Sequence, residues 1–130
     1  MKQNDITQTL GQRLQTLPSP PTIYWGNQNV PESAARPYLQ FELNPAQDGS
    51  GISGGKVQSG FAQVMVVSAI GEFETAANTL AQSIADLFPF ELSLTCDDGK
   101  LTITKHTIPM RGFRDGSDWL KAVQIDFVVV

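Results

Sequence analysis

The stretch from Asn44 to Gly60 holds the residues most suggestive of chemistry. Gly49-Ser50-Gly51-Ile52-Ser53-Gly54 spells G-x-G-x-x-G, a spacing that brings backbone close to a pyrophosphate at a helix N-terminus. The next periodic run, Phe61 to Val67, is β-rich, so the helix that this chemistry needs does not follow. Gly51-Ile52-Ser53-Gly54-Gly55 also spells G-x-S-x-G. A nucleophile elbow requires a strand before the serine and a helix after it. Asn44-Pro45-Ala46-Gln47-Asp48 is not strand-like, and the base would have to be His106, the one histidine in the chain. Gly55-Lys56 fails as a phosphate loop, because Ser50 stands where glycine is needed and Val57 where a magnesium-binding hydroxyl is needed. The reading that remains for residues 44–60 is a flexible surface loop, low in side-chain bulk, that orders on a partner.

The other chemical candidates are sparse. One histidine and one cysteine cannot build a zinc site unless several carboxylates converge on them. Asp97-Asp98-Gly99-Lys100 reads as a turn, since Asp-Gly tolerates positive φ. Cys96 falls in an expected strand as a small apolar residue. His106, between Lys105 and Thr107, reads as an exposed strand residue. No metal and no cofactor is expected, and the residue types argue against an enzyme. A small α+β ligand-binding module is the weaker alternative. It would need a pocket of convergent polar groups, whereas acids paired on a helix face are limited to Glu72 and Glu74.

Charge points towards assembly. Of the 130 residues, 17% are charged and 41% are hydrophobic, with a net charge of -4. That balance affords a core but disfavours tight binding to a phosphate backbone. Residues 57–99 contain no Lys or Arg and carry Glu72, Glu74, Asp86, Glu91, Asp97 and Asp98. Residues 100–121 carry Lys100, Lys105, Arg111, Arg114 and Lys121 against two acids. Complementary patches of this kind suit head-to-tail subunit contacts. Glu72, Glu74 and Asp86 are the expected acidic side, and Arg111 and Arg114 the basic side. Apolar runs fall far short of the roughly 20 residues that span a bilayer. No apolar segment follows Met1-Lys2, so the expectation is a soluble chain without a membrane partner.

The elements that would position these residues can be read from periodicity. Ile6, Leu10, Leu14 and Leu17 form one helical stripe, stopped by Pro18. Ile23-Tyr24-Trp25 is a short strand, residues 26–37 a polar loop, and Tyr38 to Leu43 a strand with one wet face. Phe61 to Val67 is a buried strand. Phe73, Ala76, Ala77, Leu80, Ala81, Ile84, Leu87 and Phe88 define the apolar side of a second helix, ended by Pro89. Leu92–Cys96 and Leu101–Thr104 form a hairpin, Ile108–Phe113 extends the sheet, and Trp119–Val130 is a final strand after the Asp115–Asp118 turn. The predicted fold class is α+β. One domain over residues 1–130 has a single, mostly antiparallel sheet with two amphipathic helices packed on one face.

The order of short signatures resembles a family. Leu17-Pro18 ends a helix, Trp25-Gly26-Asn27 makes a turn, and Pro37-Tyr38-Leu39 opens a strand. A polar glycine stretch leads into Gly60-Phe61-Ala62-Gln63-Val64-Met65-Val66-Val67. A helix then closes on Ile84-Ala85-Asp86-Leu87-Phe88-Pro89, and Asp118-Trp119 opens the last strand. This pattern resembles the minor tail proteins that act as tail terminators in long-tailed phages and prophages, the lambda-like terminators included. The resemblance implies a virion structural protein that forms a ring, expected to be a hexamer. The ring would cap the tail tube, end polymerisation and provide the surface that joins the head. Implied partners are further copies of the chain, the tail tube protein and the head–tail connector, with DNA only passing through the lumen. The implied location is the head-proximal end of the tail, reached from the bacterial cytoplasm during assembly. Asp48, Ile52 and Lys56 are the expected ring or tube contacts. Another neck or tail-completion protein is the nearest alternative.

Overall fold

The computed structural model describes residues 3–18, 20–26, 29–31, 34–50, 56–69, 74–96 and 99–129. Helix α1 spans Gln3–Leu14. Its stripe Ile6, Leu10 and Leu14 is fully buried and Leu17 nearly so. The last turn tightens, with the Thr16 and Leu17 amides donating to the carbonyls three residues back, before Pro18 stops the helix. Helix α2 spans Glu74–Asp86 and buries Ala77, Ala81, Ile84 and Ala85, with Phe88 beyond its end. Its apolar stripe is narrower than expected, because Ala76 is exposed; Phe73 lies outside the described residues.

The seven strands are β1 (Ile23–Trp25), β2 (Tyr38–Ser50), β3 (Lys56–Ala69), β4 (Ser93–Cys96), β5 (Gly99–Ile103), β6 (Phe113–Asp115) and β7 (Asp118–Val129). They form one mixed sheet in the order β1-β2-β3-β7-β5-β4, with β6 also beside β7. β1 runs parallel to β2, while the β2–β3, β3–β7, β4–β5, β5–β7 and β6–β7 pairings are antiparallel. α1 packs on β2, second in that order, and also on β4, the last, so the sheet curls around the helices. The class is α+β.

The largest correction concerns residues 44–60, read from sequence as a loop. Residues 44–50 belong to β2 and residues 56–60 to β3, and they pair from Asn44↔Phe61 out to Ser50↔Lys56. Pro45 and the glycines mask this in the sequence, and the ladder resolves it in two ways. A register shift between Asn44 and Gln47 absorbs Pro45-Ala46, as a bulge does. On the other edge Gln58, Ser59 and Gly60 pair with Val129, Val128 and Phe127 of β7, so tertiary pairing fixes the backbone where side chains do not. Residues 51–55, Ile52 among them, lie outside the described residues.

Alternation sorts the side chains. Leu39, Phe41, Ala62, Val64, Val66, Val123, Ile125, Phe127, Leu101 and Ile103 share one buried cluster with residues from both helices. A smaller cluster of Ala34, Tyr38 and Val67 gathers Tyr24, Val30, Met65 and Leu120. The segment between β5 and β6 runs along the free edge of β7. The Thr104 amide donates to the Asp126 carbonyl at 3.0 Å and the Met110 amide to Ala122 at 2.8 Å, and Pro109 bridges Val123. The sheet extension expected over Ile108–Phe113 is thus that single bridge followed by β6. Gly116, at φ 60°, makes the tight return into β7.

Candidate assembly surface

The free-edge segment alternates in exposure. His106, Ile108 and Met110 point out, while Thr107 and Pro109 are half-buried. The hydroxyl of Thr107 donates to the Phe88 carbonyl at 2.7 Å and ties the segment to the end of α2. Phe90, just past α2, lies against His106 with ring centroids 4.9 Å apart. Phe90 is 43% exposed, Ile108 67%, Met110 42% and Phe113 48%; the exposed large apolar side chains among the described residues all fall on this one strip. Lys105, Arg111 and Arg114 are exposed along the strip, with no acid from Gly99 to Arg114, and Glu91 is an exposed acid at its Phe90 end, so the strip is net basic. A contiguous apolar ridge edged by arginine is the composition of a protein–protein contact.

The sequence-derived candidates are placed as follows. Arg111 and Arg114 lie on this strip, Arg114 in β6 opposite Trp119. Asp86 is exposed at the end of α2, where it accepts a hydrogen bond from Gln82 at 2.8 Å. Glu74 opens α2, and Glu72 lies outside the described residues. Asp48 and Lys56 sit on the paired arms of β2 and β3. Among the described residues, no ion pair joins Asp86 to either arginine.

The ion pair that does form, Arg36–Asp118, escaped the sequence reading. Arg36 grips the carboxylate with two nitrogens, Nε–Oδ1 at 2.6 Å and Nη2–Oδ2 at 3.1 Å, and its Nη1 donates to the Ala34 carbonyl at 2.8 Å. Its guanidinium also stands 5.5 Å from the Tyr38 ring centroid. The hydrogen bond from Arg36 holds the Asp118 carboxyl below its usual range, and burial raises the Tyr38 phenol. This cluster anchors the segment around Ala34 to the start of β7. The partners are 82 positions apart, too far for any local pattern to connect them.

A second surface feature lies between α1 and β1. Thr7, Gln8, Gly11, Gln12, Gln15 and Trp25 line an open, largely apolar groove of about 410 Å³. Gly11 allows it. A β-carbon there would stand 2.9 Å from the Trp25 ring, so only glycine lets the indole lie against the helix. Among the described residues, none that lines it is charged.

Chemical machinery is sparse on what is described. Among the described residues, no three His, Cys, Asp or Glu side chains gather as a metal site, and no helix is long and apolar enough to cross a membrane. His106 is occupied by its contact with Phe90. The arrangement is that of an α+β domain whose conspicuous features are surfaces.

Comparison with known proteins gives that arrangement a family. The model of the phage tail terminator protein family matches residues 5–127, and the chain belongs to that family. A solved structure that carries no functional description has a TM-score of 0.79 and 23% identity, covering 100% of this chain and 96% of its own. A chain from the virion of a native gene transfer agent particle has a TM-score of 0.65 and 16% identity, covering 98% and 95% respectively. A search of curated proteins finds no match.

Proposed function

We propose that this protein is a structural component of a phage tail that caps the tail tube as a ring, ends its polymerisation and presents the surface that joins the head. The observation that carries this reading is the family match across nearly the whole chain, residues 5–127. The likeness to a chain of a gene transfer agent virion supports a virion setting. The exposed apolar ridge with its arginines supports assembly with protein rather than catalysis. In this reading six copies close head to tail, DNA passes through the lumen, and the partners are the tail tube protein and the head–tail connector. The hairpin of β2 and β3, with Asp48 and Lys56 on its arms and Ile52 beyond them, meets the tube. The strip bearing Arg111 and Arg114 belongs to the subunit contact.

The test is light scattering and electron microscopy of the protein with and without tail tube. The expected species has six times the 14.1 kDa subunit mass and sits at one end of the tube. A strictly monomeric protein that never binds tube would overturn the proposal. Deleting the gene should give overlong tails. Tails of normal length that fail to join heads would instead assign the protein to tail completion.

A further inference from the structure

The ridge and the groove occupy opposite ends of one row of the sheet. Trp25 of the groove pairs in register with Phe41, Phe41 with Val64, Val64 with Val123, and Val123 bridges Pro109, which lies between Ile108 and Met110. Three strand spacings, roughly 14 Å along the curled sheet, separate β1 from β7, so the two features lie at the same level along the strands, on either side of this row. Their chemistry is complementary. The ridge is apolar and edged by Lys105, Arg111 and Arg114. The groove is largely apolar, and its described lining residues carry no charge. An acid stands at its margin: Asp5 lies one turn before Gln8 on α1.

We propose that the Ile108–Met110 ridge of one subunit seats in the α1–Trp25 groove of a second copy of this chain. The inference rests on the ring reading above and specifies its contact. A ridge and a groove on opposite edges give a heterologous interface. Because both lie on one row, each added subunit brings little rise along the strand direction, which favours closure into a ring over a climbing helix. The acidic side of the contact is then Asp5, not Glu72, Glu74 and Asp86. Backbone pairing across the boundary is not required, since Pro109 has no N–H to offer a neighbouring strand.

Two exposed positions test this. Chains carrying Ile108→Cys and chains carrying Gln12→Cys are mixed, with the native Cys96 present in both as an internal control. A disulfide-linked pair is expected in the mixture and in neither variant alone. Ile108→Asp should weaken assembly at least tenfold with an unchanged circular dichroism spectrum. If the wild type forms rings while the mixture does not cross-link and Ile108→Asp assembles normally, this contact is wrong and the ring reading stands. If the pair cross-links but only open chains form, the contact stands and the closed ring falls. A wild type that stays monomeric, with no cross-link, overturns both.

Discussion

Phe41 and Glu42 are neighbours in β2 and live in different worlds. Phe41 belongs to the row Trp25, Phe41, Val64, Val123, buried against the helices. Glu42 belongs to the row Glu42, Gln63, Gln124 on the opposite face, where Glu42 is exposed, Gln63 and Gln124 are half-buried, and no helix lies over them. Strand alternation alone produces this division. One face carries stability. The other carries a shallow polar surface with a single apolar island around Tyr38 and Val67, pinned by Arg36 and Asp118. The two faces can therefore be altered separately, a useful property in a subunit that must hold its fold while meeting several neighbours.

The contrast is broken most sharply by truncating both neighbours in turn. Phe41→Ala should cost about 3–5 kcal/mol, the sum of lost burial and a cavity. Glu42→Ala should stay within about 0.5 kcal/mol. Urea unfolding measures both, and equal losses would mean that the polar face is also core. Gly112→Ala comes next. Its β-carbon would stand 2.5 Å from the Trp119 indole, whose buried Nε1–H has no partner among the described residues. Overpacking should cost about 1–3 kcal/mol, read as a lowered unfolding midpoint with quenched or shifted tryptophan emission.

The smallest effect concerns the pin on the polar face. Arg36 lowers the Asp118 carboxyl below its unfolded value, so the pair stabilises the fold at neutral pH. That contribution is lost as pH falls through the carboxylate range, below about 4. Asp118→Asn should melt below the wild type at pH 7, and the gap should close on acidification. A gap that is constant with pH would mean that the bidentate contact contributes through shape rather than charge.

What could be read in the sequence depended on whether a segment's environment repeats within a short window. The stripe Ile6, Leu10, Leu14 and Leu17 names α1 outright, since all four side chains meet one core. The β4–β5 hairpin was equally legible, although Gly99 and Lys100 join β5 and only residues 97 and 98 remain between the strands. The outer arms of β2 and β3 were not legible. Pro45, Gly49 and Gly60 are poor strand formers, and the pairing of residues 58–60 with the distant 127–129 decides their conformation. The ridge was half legible. His106 reads as an exposed strand residue and Ile108–Phe113 as a sheet extension, but Thr107 and Pro109 are neutral enough that the sequence cannot say which side of the segment faces out. Arg111 and Arg114 were picked for their charge, and the structure puts an apolar ridge between them and Phe90. The Trp25 groove depends on an indole crossing Gly11, a contact between elements that composition does not encode.

The position of β7 sets an order of events. It is the last strand in chain order, yet it lies between β3 and β5, and neither of those strands pairs with the other. While a ribosome is still translating the chain, β1, β2 and β3 can form an incomplete sheet, but the hairpin of β4 and β5 has no strand through which to join it. The free-edge segment also has no strand to lie along until β7 has been made. The ridge therefore exists only once β7 has been made, and a nascent chain that stops short of it has no such surface with which to capture its neighbours prematurely.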